Sequence, residues 1–291
     1  MNTIDVKAYA KLNLSLDVLG RLEGGYHAMK MVMQSASLCD DIHIALTEDG
    51  SFGVQTNFGF LPRDDRNIAL RAAKEFLAAA GMQGTGARLR LNKRIPVGAG
   101  LGGGSTDAAA VLRGLNRLTG AHFSRAALEE LGARLGSDVP YCIAGGTRLA
   151  EGRGEQLTAL PPLPDCGFVI CKPGFSIRTP GLFARIDSRR SGVHPDTDGL
   201  IAALSAGDIS GVARRMYNVF EDVLPANCRE IGEIKQLLLD SGALGAVMSG
   251  TGSAVFGIFS DLAAAEAAQR KIQGRCRECF AAAPVGEAET E

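Results

Sequence analysis

Between residues 5 and 19 the chain alternates. Leu12, Leu14, Leu16 and Val18 fall on one side, and Lys11, Asn13, Ser15 and Asp17 fall on the other. A period of two predicts a half-buried strand. Residues 20–25 break it, and further strands are predicted at 29–38, at 42–46 beyond Asp40-Asp41, and around 52–56. The period then lengthens: Ile68, Ala69, Ala72, Ala73, Phe76 and Leu77 form one stripe of a helix over 67–80 that Gly81 ends. Ala87, Leu89 and Leu91 alternate with Arg88, Arg90 and Asn92, a strand that enters a glycine-rich segment at 96–106. A helix leaves that segment and stops at Gly120, and Ser124 starts another that stops at Gly136. Pro161-Pro162-Leu163-Pro164 punctuates the chain. Beyond it come a buried strand at 167–171, helices between 179 and 240, a strand pair near 246–248 and 254–259, and a helix after Asp261. Residues 284–291 read as a frayed tail. Strands gather early and helices late, which predicts an α+β fold in two domains, 1–161 and 162–291.

Composition narrows the classes. Nearly half of the 291 residues are hydrophobic, enough for a full core, and the formal net charge is −1 with the cations dispersed. A nucleic-acid binder would concentrate a basic face, so none is expected as partner. No apolar run reaches a membrane span, and Met1 to Lys7 carry no hydrophobic signal, so a cytoplasmic location is expected. The seven cysteines follow no disulfide framework, and Cys276-Arg-Glu-Cys279 has no second pair to complete a zinc site.

The segment Pro96, Val97, Gly98, Ala99, Gly100, Leu101, Gly102, Gly103, Gly104, Ser105, Thr106 carries the strongest chemical signal. Glycines that open into a helix offer bare N–H groups and the positive end of the helix dipole to an anion. A Walker loop would end in Gly-Lys-Ser/Thr, and here no lysine stands there. Gly98, Gly100 and Gly103 satisfy GxGxxG, but the acid expected about 20 residues on is missing around Leu118-Thr119-Gly120. Ser105 or Thr106 would serve equally as a helix N-cap.

Other candidates read two ways in isolation. Asp138, in Gly136-Ser137-Asp138-Val139-Pro140, suits a proton acceptor or the cap of a short helix. Lys11 and Asn13 suit a ligand or solvent. Tyr26-His27 could hold a flat ring or decorate a hairpin tip. Ser249-Gly250-Thr251-Gly252-Ser253 is a second backbone nest or a tight turn.

The order Pro96, Gly100-Leu101-Gly102, Ser105-Thr106, Ala108-Ala109 resembles the phosphate loop of the GHMP small-molecule kinases. Ala10-Lys11-Leu12-Asn13-Leu14, Gly25-Tyr26-His27, Asn67-Ile68, Lys93-Arg94-Ile95-Pro96, Leu135 to Pro140, Gly152-x-Gly154-Glu155 and Ser249 to Gly252 extend the resemblance over most of the chain. It implies a two-lobed α+β fold with the active site between lobes, and ATP-dependent phosphorylation of an alcohol. Lys11 and Asp138 would be the catalytic pair, residues 96–106 and Asn67 would bind ATP, and Ser105 or Thr106 would contact Mg2+. Asn13, Tyr26, His27, Thr179 and Phe183 would bind the small-molecule substrate, with Tyr26 and His27 on a cytosine. That substrate would be a cytidine-diphosphate-linked methylerythritol. Homoserine as substrate, or a nucleotide-binding protein without catalysis, are the alternatives. The chain departs from the family pattern at Gly24, at Thr106, at Phe183, at Ser253 and in Asn218-Val219-Phe220-Glu221.

Overall fold

The computed structural model describes residues 2–188 and 192–287. Strands β1 (Thr3–Arg21), β2 (His27–Thr47), β3 (Phe52–Thr56) and β4 (Gly86–Asn92) enclose helix α1 (Ile68–Ala79) in sequence. Helices α2 (Gly103–Thr119), α3 (Arg125–Leu135) and α4 (Val139–Ala144) follow, then β5 (Thr147–Gly152) and β6 (Gln156–Ala159). The second half holds β7 (Gly167–Lys172), α5 (Thr179–Asp187), α6 (Thr197–Ser205), α7 (Ile209–Arg215), β8 (Tyr217–Asn218) and α8 (Glu230–Asp240). It ends in β9 (Gly245–Met248), β10 (Val255–Phe259), α9 (Leu262–Ile272), β11 (Glu278–Ala282) and β12 (Pro284–Val285). One sheet runs β3-β4-β2-β1-β8, with β5 and β12 also on β2 and β6 on β5; a second runs β11-β7-β10-β9. Segment 161–164 is irregular and joins β6 to β7, while β8 and β12 return from the second half to the first sheet.

Three expectations are corrected. Strand β1 is buried on both sides: Lys11, Asn13, Ser15 and Asp17 are as hidden as the leucines. Its register against β2 shifts between Asn13 and Ser15, so the alternation changes side there. Leu12 and Leu14 pack with Ala10 in one core, and Leu16 and Val18 pack in the other. Strand β2 does not break at Asp40-Asp41 but runs unbroken from His27 to Thr47. Asp40 can lie inside it because Lys93 and the N–H groups of Arg94 and Ile95 all donate to its carboxylate. The tail is docked as far as Glu287. Pro284 and Val285 pair with Ala36 and Ser35, Glu287 bridges to Gly145, and Arg148 donates to its carboxylate at 2.8 Å. The rest of the expected tail, 288–291, lies outside the described residues. No helix among the described residues is long and apolar enough to cross a membrane.

Candidate active site

The glycine loop is held by three segments far apart in sequence. The Lys11 N–H donates to the Leu101 carbonyl at 3.0 Å, the Ala254 N–H to Ala99 at 3.0 Å, and the Ser249 hydroxyl to Gly100 at 3.0 Å. Gly100 has φ +78°, and a Cβ there would stand 2.1 Å from the Ser249 carbonyl oxygen, so only glycine fits. Gly102, at φ +70°, is the N-cap of α2, which leaves the hydroxyls free of that task. Two cavities meet at this loop and share Gly100, Gly102 and Ser105 as a wall.

The larger cavity, about 690 Å³, lies over β1, the first hairpin and α5. Lys11 Nζ enters it 3.6 Å from Asp138 Oδ2 and donates to Asn13 Oδ1 at 2.7 Å. Asp138 occupies the N-cap position of α4 without capping it through its side chain, so its carboxylate is left to face the lysine. Tyr26, half exposed at the hairpin tip, lies beneath the Arg153 guanidinium, 4.9 Å from ring centroid to Cζ. The His27 ring stacks on Phe183 with centroids 4.5 Å apart, and Phe183 meets Phe220 edge-on at 5.0 Å. Thr179 and Thr251 share a hydroxyl hydrogen bond of 2.8 Å at the rim. The smaller cavity, about 380 Å³, is lined by residues 96–105 together with Leu61, Pro62, Asn67 and Ile68. Asn67 is fixed there twice: its Oδ1 accepts from the Ala69 N–H, and its Nδ2 donates to the Pro62 carbonyl.

Lys11, Asp138, Tyr26, His27, Thr179 and Phe183 thus line one cavity, although they come from both halves of the chain. Two expected contacts do not. Asn13 is fully buried between Lys11, Ser249 and Met31, and its Oδ1 accepts from the lysine. The Thr106 hydroxyl is buried and donates to the Gly103 carbonyl one turn back; of the hydroxyl pair only Ser105 faces the cavities.

Several residues were not marked by the sequence reading. Asp187 accepts from His27 Nε2 at 2.8 Å and from Arg21, which above all holds its carboxyl down to about 2. Nothing in its local sequence signals this, because its partners lie at the far end of the chain. Lys93 sits beneath the loop and donates to Asp40, to Asp107 at 2.6 Å and to the Gly103 carbonyl at 3.1 Å. Burial, with the Asp40 carboxylate adding to it, pushes the Asp107 carboxyl up to about 7 against the pull of Lys93, and its Oδ1 has no hydrogen-bond partner among the described residues. Segment 218–221 ties β8 to β9 and to the turn that follows it. Asn218 Nδ2 donates to the Met248 and Gly250 carbonyls at 2.8 Å each, and Glu221 accepts from the Met248 N–H. Val219 is core.

Among the described residues no group of three or more histidine, cysteine or acidic side chains has metal-binding geometry. The cleft therefore offers single oxygen donors, Ser105 and Asp138, beside a bed of backbone N–H groups.

The model of the GHMP kinases N terminal domain matches residues 67–146, and that of the GHMP kinases C terminal matches 200–278. A 4-diphosphocytidyl-2-C-methyl-D-erythritol kinase of Lachnospira eligens is 42% identical over 282 residues, covering 96% of this chain and 98% of its own. One from Clostridium botulinum is 40% identical over 277 residues, covering 95% and 98%. Among solved structures, a 4-(cytidine 5'-diphospho)-2C-methyl-D-erythritol kinase superposes with a TM-score of 0.81 at 33% identity, over 97% of this chain and 100% of its own. A homoserine kinase from Cytophaga hutchinsonii shares the fold, with a TM-score of 0.76 at 19% identity over 100% and 96% of the two chains.

Proposed function

We propose a function from one premise: the chain belongs to the GHMP kinase family. It is an ATP-dependent small-molecule kinase. Its substrate is 4-diphosphocytidyl-2-C-methyl-D-erythritol, whose 2-hydroxyl receives the γ-phosphoryl group in non-mevalonate isoprenoid precursor synthesis. The observation that carries the site assignment is the Lys11–Asp138 pair, 3.6 Å apart, in a cavity walled by the glycine loop.

In this reading ATP lies with its base in the smaller cavity near Asn67 and its phosphates along residues 96–105, reaching the pair where the two cavities share Gly100, Gly102 and Ser105. Phosphoryl transfer through a loose transition state asks for positioning and charge compensation more than for strong activation of the nucleophile. Asp138 orients the attacking hydroxyl and takes its proton, Lys11 offsets the charge gathering on the transferred group, and the N-terminus of α2 faces the phosphates. Ser105 and Asp138 fit a Mg2+ ion, which takes most of its ligands from water and phosphate and asks few of the protein. That ion would neutralise phosphate charge. Tyr26, His27 and Phe183 hold the cytosine as a flat ring beside aromatic faces, and Thr179 lies on the same side. Residues 1–161 form the ATP-binding domain and 162–291 the second domain. The reaction belongs in the cytoplasm, where ATP is available.

ADP release tests the reading. With ATP and Mg2+, the CDP-linked alcohol is expected to give turnover and homoserine none. Turnover on homoserine alone, or nucleotide binding without ADP from either alcohol, overturns it.

A further inference from the structure

Three thiols meet outside the cleft. Cys171 is fully buried in β7, and Cys279 stands directly opposite it in β11, half-buried, with the two Sγ atoms 3.5 Å apart. Cys276 follows α9 and comes three residues before Cys279. The Cys171 thiol beside it lowers the Cys276 pKa, and its two thiol neighbours raise that of Cys171.

The cluster does not suit a metal: among the described residues no group of three or more histidine, cysteine or acidic side chains, these thiols included, has metal-binding geometry. It does suit a disulfide. Residues directly opposite in an antiparallel pair have Cα atoms about 4.5–5.5 Å apart, inside the range a disulfide spans. The two sulfurs are already in contact, and the half-exposed member gives a reagent access. Cys39, Cys142, Cys166 and Cys228 are buried, and no other pair of sulfurs is brought together in this way among the described residues.

We propose that Cys171, Cys276 and Cys279 form a thiol-modification site that takes a low-molecular-weight disulfide and closes a Cys171–Cys279 bond. Cys279 attacks one sulfur of the incoming disulfide; that S–S bond breaks, and the first small thiol leaves with the Cys279 proton. Cys171 then attacks the Cys279 sulfur. Its proton passes by way of the neighbouring Cys276 thiol to the second departing thiol. Two protein thiols are oxidised, and one small disulfide is reduced to two thiols. A disulfide formed in this way is of the transient, redox-responsive kind found in reducing compartments.

The test uses the reduced full-length protein in glutathione and glutathione disulfide at stepped ratios. Acid quenching, alkylation under denaturing conditions and peptide mass mapping follow. Two of the seven thiols are expected to become unreactive, joined as a peptide pair containing Cys171 and Cys279. Cys279→Ser is expected to keep its remaining thiols free. Cys171→Ala is expected to stop at a glutathione adduct on Cys279, and Cys276→Ser to accumulate that adduct transiently. Seven free thiols at every ratio, a lasting adduct on the unmutated protein, or a bond between any other pair overturns the proposal. None of these outcomes depends on the kinase assignment.

Discussion

Asp187 holds His27 from the last residue of α5: Oδ1 lies 2.8 Å from Nε2, while Oδ2 takes the Arg21 guanidinium. With Nε2–H donated to Asp187, Nδ1 is the ring nitrogen left for a ligand. Asp187→Ala is expected to raise KM for the CDP-linked alcohol several-fold while leaving KM for ATP nearly unchanged. Steady-state kinetics with each substrate varied in turn would show it, and equal effects on both would refute the positioning role. The carboxyl titrates at about 2, below its ordinary value, so the contact is intact at neutral pH and is lost only as pH falls through that value.

Asp138→Asn and Lys11→Met are each expected to lower kcat by roughly 10²–10⁴-fold, the range for loss of a positioned proton acceptor or a compensating charge. Nucleotide affinity, measured by titration calorimetry, should change little. Near-full turnover in Asp138→Asn would remove its assigned role.

Gly100→Ala forces a Cβ to within 2.1 Å of a backbone oxygen at a left-handed φ. Expected are a loss of stability on the order of 2–4 kcal/mol and a marked weakening of ATP binding. Gly232→Ala is the control: it lies in α8 with open space at its Cβ, and should be neutral or stabilising by up to about 1 kcal/mol. Thermal denaturation and nucleotide titration of both variants decide the point.

Asp107 supplies a pH effect of the opposite sign to Asp187. Its folded carboxyl titrates near 7, whereas an unfolded one titrates near about 3.9. Between these values the folded chain holds a proton that the unfolded chain has released, so stability falls as pH rises through the interval. Asp107→Asn cannot ionise, so its stability relative to wild type is expected to rise between pH 5 and 8, by a few kcal/mol at most on the order-of-magnitude scale of such shifts. Parallel denaturant melts at the two pH values measure it; a constant difference would contradict the assignment.

Local patterns made much of this molecule legible. The stripe on α1, the cap at Ser124 and the glycine loop depend on neighbours a few residues away, and the structure has them where the spacing puts them. The bulge in β1 was hidden because a register shift leaves the apolar alternation unchanged while sending its side chains to two cores. Asp40 read as a strand breaker because its partners, Lys93 and the turn after it, lie more than fifty residues on. The same distance concealed Asp187. Asn13 and Thr106 were placed with the correct neighbours, but a strand or helix face cannot be told from sequence to be open or covered by another segment.

The loop pinned by Lys11, Ser249 and Ala254 has a consequence for the order of events during synthesis. A nascent chain that has completed strands β1 to β6 still lacks two of the loop's three anchors. Nucleotide capture therefore comes late, after residue 254 is available, and ATP acts as a ligand of the finished fold, drawing the last-formed contacts toward completion by mass action.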